Sequence, residues 1–240
     1  MHLAILMTNT DESNFAQQHP KDGKKFTDLI QSVRPDWRCT SFAVKDGVFP
    51  DDIGEFDGAM ITGSPASVRS GAAWVDQLLR LIVQMNAHRF PVFGACFGHQ
   101  AIALALGGAI DHNPDGWAHG RVINTLVQRP DWAADLPQEF ALYGSHCECV
   151  SVLPDGATAI ATSGACNAGF TIGQHVFTTQ HHPEMTPDFI AALTDEMETV
   201  LGPDLHAQAV ASLSHTADQA AFAESIARFF EQGAISANKG

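Results

Sequence analysis

Positive charge is scarce in this chain of 240 residues: 13 lysines and arginines stand against 27 aspartates and glutamates, a formal net charge of −14. So acidic a surface repels phosphate backbones and anionic headgroups, which argues against nucleic acid or a membrane as the main partner. Between Arg129 and Arg228 there is no lysine or arginine, while Asp131, Glu148, Asp155, Glu184, Asp195 and Glu198 accumulate, as on a solvated acidic face. No stretch reaches the roughly 20 apolar residues of a membrane span. The opening "MHLAILMTNTDES" has a short apolar run without a basic flank, unsuited to a secretion signal and suited to a first buried strand. A disulfide framework is missing too, because Cys39, Cys96, Cys147, Cys149 and Cys166 are odd in number and scattered. The expected setting is therefore the reducing cytoplasm. No repeat, low-complexity tract or linker interrupts the chain, and "DGKKF" near Lys24 lacks the glycine and hydroxyl residue of a phosphate-binding loop.

What is present suits one α/β domain: 45% hydrophobic and 17% charged residues suffice for a substantial core. Strand-like runs at 3–8, 38–44, 56–63 and 90–96 alternate with helical spacings at 24–33, 72–89 and 99–108. That alternation predicts an open, mostly parallel twisted sheet with helices on both faces, spanning residues 1–240. Within 72–89, Trp74, Leu78, Leu81, Ile82 and Met85 fall on one stripe, and Gly107 and Gly108 suit a helix end. Short strands are expected at 121–128, 140–146, 157–163, 168–174 and 176–184, and helices over 187–202 and 218–233. Phe222, Ile226, Phe229 and Phe230 form an apolar stripe expected to pack on the sheet, while "ISANKG" at the end is expected to fray.

The stretch "GACFGHQ" (94–100) places Cys96 between two glycines, after an apolar strand and before a helix. This is the arrangement of a nucleophile elbow, where glycine tolerates a strained, crowded turn and the helix N-terminus favours a thiolate. A buried packing thiol fits the same residues. A nucleophile needs a base and a group to orient it, and "QHHPE" (180–184) offers His182, biased toward extended backbone by Pro183, with Glu184 two residues on. Adjacent histidines also fit a metal-ligand pair or a surface loop. A metal site from His146, Cys147, Cys149, His181 and His182, or a redox pair in Cys-x-Cys, lacks the paired Cys-x-x-Cys spacing, and no metal is expected.

Together these motifs resemble the class I glutamine amidotransferases, whose patterns are Gly-x-Cys-x-Gly-x-Gln and, downstream, Gln-x-His-Pro-Glu. "DGAMITGSPASV" (57–68) is similar to the family's oxyanion loop and "GSHCECVSVLP" (144–154) to its Ser-His segment. Gly116, Trp117 and Gly120 resemble free-standing members related to the amidotransferase domain of GMP synthase. The resemblance implies a flavodoxin-like amidotransferase fold, with C-terminal helices from about residue 187. It implies Cys96 as nucleophile, His182 as general base and acid, and Glu184 as orienter. Phe97, Gly63 and Ser64 would supply the oxyanion hole, although Ser64 stands where the family commonly has glycine. Gln100, Ser145 and His146 would contact substrate, with Glu148 in place of the family's aspartate. No cofactor is implied. The ligand would be L-glutamine or a γ-glutamyl compound, with a separate synthase as a partner that could receive ammonia. A γ-glutamyl peptidase using the same residues, or a non-catalytic binding relative, are the other readings.

Overall fold

The computed structural model describes residues 1–237, with side chains through 233; residues 238–240, the end of the stretch expected to fray, lie outside the described residues. In chain order the first half contains β1 (His2–Leu6), α1 (Asn14–Gln17), α2 (Asp22–Gln31), β2 (Arg38–Phe42), β3 (Gly58–Ile61), α3 (Ala73–Ala87), β4 (Val92–Ala95) and α4 (Phe97–Ala105). β1 pairs in parallel with β2 and β3, and β3 with β4. Parallel neighbours need crossovers; α2 joins β1 to β2, and α3 joins β3 to β4.

The second half supplies β5 (Ala109–His112), β6 (Ala118–Leu126), β7 (Glu139–His146), β8 (Glu148–Val152), β9 (Ala157–Ser163), β10 (Cys166–Ile172) and β11 (Val176–Thr179). It then ends in α5 (Pro187–Glu196), α6 (Glu198–Ser212) and α7 (Gln219–Ala237). All the strands join one sheet of order β2-β1-β3-β4-β11-β10-β9-β6-β7, with β8 paired to β10 and β5 to β8. β11 completes the parallel block against β4, and the strands beyond it pair antiparallel, with short turns joining β9 to β10 and β10 to β11.

The sheet divides the core in two. Along β1, side chains alternate between faces: Leu3 and Ile5 join Phe26, Ile30, Phe222, Ile226, Phe229 and Phe230 beneath α2 and α7. Ala4 and Leu6 join Val75, Leu78, Ile82, Met85 and Ala101 beneath α3 and α4. The stripe expected on α3 is therefore buried except for Trp74 and Leu81, which pack half-buried at its edge.

Three local expectations change. The helix expected over 187–202 ends at Glu196, and α6 carries on to Ser212 through a break where Gly202 has φ 72 before Pro203. Proline lacks an N–H and crowds the preceding residue out of helical backbone, yet glycine accommodates the kink and the chain resumes its helix. The strand expected over 176–184 ends at Thr179. β5 and β8 have no counterpart among the expected strands, since each is short and partly exposed.

Phe177 is the hub of one core half, with ring centroids 4.0 Å from Trp132, 5.1 Å from Phe93, 5.5 Å from Phe222 and 5.6 Å from Phe229. Phe177→Ala should lower the unfolding free energy by about 3–5 kcal/mol, read from urea midpoints, whereas Val83→Ala, on an exposed face, should change it by less than about 0.5 kcal/mol. Equal effects would contradict this core assignment.

Candidate active site

β4 ends at Ala95, and Cys96 makes the turn into α4 with φ 51 and ψ −104. Positive φ is costly for a side chain with a Cβ, of order 1–3 kcal/mol, so the surroundings must impose it. They do so by crowding: a Cβ on Gly94 would lie 2.7 Å from the Gly98 carbonyl, and one on Gly98 would overlap the Ile61 carbonyl oxygen. The Cys96 N–H donates to Thr179 O at 2.9 Å, tying the turn to β11. Phe97 opens α4, so its N–H has no acceptor within the helix; its ring stacks on Trp74 at 5.4 Å.

β11 runs beside β4 with Thr179 opposite Ala95, and the next three residues carry the chain over the elbow. There the His182 N–H donates to Tyr143 O at 2.7 Å, bridging to β7. Glu184 lies in the turn after this bridge, not farther along an extended strand, and its Oε1 accepts from His182 Nδ1 at 2.7 Å. Burial alone would push the His182 imidazole down, but electrostatic interaction with Glu184 and Cys96, with hydrogen bonds to both side chains, holds it well above the ordinary histidine value. Cys96, His182 and Glu184 are therefore in one chain of contacts, each less than a tenth exposed.

Gly63 faces this chain. A Cβ there would stand 2.6 Å from His182 Cε1 and 3.6 Å from Cys96 Cβ, so only glycine leaves space between the sulfur and the loop. Thr8 holds the loop by donating to Gly63 O at 3.0 Å. Ser64 turns its hydroxyl toward its own loop, accepting from Ala66 N at 3.1 Å.

The substrate-contact candidates divide. Gln100 Nε2 donates to Glu148 O at 2.9 Å and to Gln180 Oε1 at 3.2 Å, one helical turn beyond Cys96. His146 also donates to Glu148 O, through Nδ1 at 3.0 Å. Ser145 points the other way, as alternation along β7 requires; its hydroxyl meets His119 Nδ1 at 3.1 Å and Met197 Sδ at 3.5 Å. The Glu148 carboxylate accepts from Ser67 Oγ at 2.9 Å and from Arg69. Sequence reasoning missed Ser67, Arg69, His119 and Gln180. Gln180 and Ser67 lie inside recognisable motifs without a role of their own there, and Arg69 is one residue past the oxyanion-like stretch.

His181 is not equivalent to its neighbour. Its Nδ1 donates to Asn124 Oδ1 at 2.8 Å, and its Nε2 meets His146 Nε2 at 3.3 Å. Burial pushes both pKa values down, so the two rings meet in the neutral form. Among the described residues no three His, Cys, Asp or Glu side chains are grouped to hold a metal ion. Cys149 hydrogen-bonds Cys166 on β10 rather than Cys147.

Burial also holds His99 at about 3, and His119 and His146 at about 4, against 6.5 for free histidine. From pH 6.5 down to about 4 the unfolded chain binds more protons than the folded one, so their contribution is complete above pH 6.5 and is lost as pH falls. His182, raised, gives an opposite slope around pH 6.5–7 and adds little at lower pH, where it is protonated in both states. Asp22, raised by burial and by Glu184 despite Lys25, acts oppositely at the acid end. Unfolding free energy should drop by several kcal/mol between about pH 7 and pH 4.5 in urea titrations; a flat profile would contradict neutral buried histidines.

No helix among the described residues is long and apolar enough to cross a membrane. The chain is 32% identical over 165 residues to γ-glutamyl peptidase 3 of Arabidopsis thaliana, an alignment covering 65% of this chain and 66% of the peptidase, just under two thirds of its length. It is 30% identical over 134 residues to a glutamine-hydrolyzing GMP synthase component of Methanosarcina mazei, 55% of this chain and 66% of that component. In fold it is similar to a glutamine amidotransferase of Thermotoga maritima, with TM-score 0.76 at 17% identity over 97% of each chain. Residues 38–190, from β2 into α5, match the class I glutamine amidotransferase pattern. The chain belongs to the class I glutamine amidotransferase family.

Proposed function

We propose that this protein hydrolyses the side-chain amide of glutamine or of a γ-glutamyl compound through a Cys96-His182-Glu184 triad. The observation that carries this reading is the buried chain of contacts from Cys96 through His182 to Glu184, open on the Gly63 side. The Cys96 thiolate attacks the amide carbon, and the oxyanion that forms lies near the free N–H of Phe97 and the Gly63 loop. One well-placed donor of this kind is worth about 2.7–4 kcal/mol in the transition state. As the carbon–nitrogen bond breaks, His182 passes its proton to the departing nitrogen, leaving a glutamyl thioester and free ammonia or amine. Water then attacks the thioester, His182 takes a proton from it, and the thiolate leaves with glutamate released. Proton and charge balance without any cofactor.

A specific observation favours γ-glutamyl peptides alongside glutamine: several of the similar proteins are γ-glutamyl peptidases of Arabidopsis thaliana. Glutamine hydrolysis would instead require a synthase partner whenever the ammonia is to be used, as the similarity to a GMP synthase component suggests.

Two measurements test the reading. Ammonia release from glutamine and amine release from γ-glutamyl dipeptides should both vanish in Cys96→Ala. Undiminished turnover in that variant would sink the triad. Because His182 is held protonated well above the ordinary histidine value, kcat/KM should decline on the alkaline side as His182 loses the proton it must deliver. Glu184→Gln removes the largest charge that raises His182, so it should move that alkaline limb to lower pH and cut kcat by about 10²–10⁴. An unmoved limb would show that Glu184 does not act through His182.

A further inference from the structure

Glu184 is aimed by a single hydrogen bond. Its Oε1 accepts from His182 Nδ1, while its buried Oε2 has no hydrogen-bond partner among the described residues. A carboxylate without a second bond can rotate and drift, so its place depends on the backbone of the turn that carries it. That turn is gripped from outside the triad. Gln219, the first residue of α7, donates through Nε2 to Pro183 O at 3.1 Å and to Met185 O, the two carbonyls that flank Glu184. A side-chain amide has two N–H donors, and both are engaged here. We propose that Gln219 is a positioning residue for the triad, clamping the turn at 183–185 so that Glu184 Oε1 stays on His182 Nδ1; this rests on the hydrolytic reading above.

The clamp is anchored on the strand that also holds His182. Asp218, just before α7, donates its N–H to Ala141 O at 2.8 Å and accepts from Ala141 N at 2.8 Å through Oδ2. Two residues farther along β7, a rise of about 7 Å, Tyr143 O accepts from the His182 N–H. One strand edge therefore fixes the base through Tyr143 and its orienting acid through Ala141, Asp218 and Gln219, although α5 and α6 intervene in the chain. Gln219 lies outside residues 38–190, the part that matches the family pattern. Besides Cys96, the ionisable groups facing this pair are bonded elsewhere. Asp22, beside Glu184, pairs with Lys25; His119, His146 and His181, beside His182, bond to Thr194, Glu148 O and Asn124. A change at Gln219 leaves those bonds in place.

The test reads the titration of His182 by NMR of protein carrying isotope-labelled histidine, the His182 signals being identified by their loss in His182→Ala. Gln219→Met, of similar length but without donors, should lower that midpoint by about 0.5–1 pH unit, because the attraction of the carboxylate weakens as it drifts. The same loss read as rate is about 3- to 10-fold in kcat, with KM unchanged. In the Glu184→Gln background the substitution should add almost nothing to either quantity, because the charge it positions is gone. A separate folding role would instead add its full effect there. If Gln219→Met does not fold, Gln219→Asn, one methylene too short to span both carbonyls, carries the same expectation. A wild-type His182 midpoint and kcat in the folded Gln219 variant, or an equal shift in the Glu184→Gln background, would overturn the proposal. Failure of the hydrolytic reading looks different: the His182 midpoint follows Gln219 as expected, yet the wild-type protein releases no amine from any γ-glutamyl amide.

Discussion

The hydrogen bond and charge attraction between Cys96 and His182 are the interaction on which the rest of the site depends, and β-sheet register creates them. β4 and β11 are far apart in sequence, yet their parallel pairing sets Thr179 beside Ala95, and the Cys96 N–H is bound to Thr179 O. From that tie the cysteine turns into a helix while the other chain crosses to Tyr143, which fixes His182 above the elbow. An imidazolium buried this deeply is unstable unless anions flank it. Glu184 on one side and Cys96 on the other supply the charge and hydrogen bonds that raise the His182 pKa.

Steric constraint does the remaining positioning. Cys96 keeps a positive φ because backbone passes too close on both flanks for anything larger than Gly94 and Gly98. Gly63 keeps open the space a reacting carbonyl would need. The costs of strain and of buried neutral histidines are borne by two hydrophobic layers, and the aromatic cluster around Phe177 lies directly under the β4–β11 pair. The site is built around the end of β4, the start of α4 and the chain just past β11, with Gly63 contributed by the loop after β3.

Much of this is legible in the amino-acid order because the physics involved is local. Gly-x-Cys-x-Gly between a strand and a helix can be read as a strained turn, and alternating apolar periods announce strands and helices. What cannot be read depends on distant partners. Ser145 and His146 look equivalent as neighbours, but pleating sends one toward Met197 and the other toward His181. Arg69 belongs to no local pattern, and its meaning comes from Glu148, which only the fold brings near. The kink at Gly202 reads as a helix end because the chain continuing beyond it depends on packing against β6. His182 and Glu184 meet through a turn, whereas the sequence suggests an extended segment between them.

The most direct test of the central claim asks whether the sulfur at the elbow is chemically distinct from the other thiols. Treating the folded protein with a glutamine-derived electrophile and mapping the adduct by mass spectrometry should find Cys96 modified ahead of Cys39, Cys147, Cys149 and Cys166, with the reaction slowed sharply in His182→Ala. Modification spread evenly over several cysteines, or a rate indifferent to His182, would contradict an activated thiolate held by that imidazole.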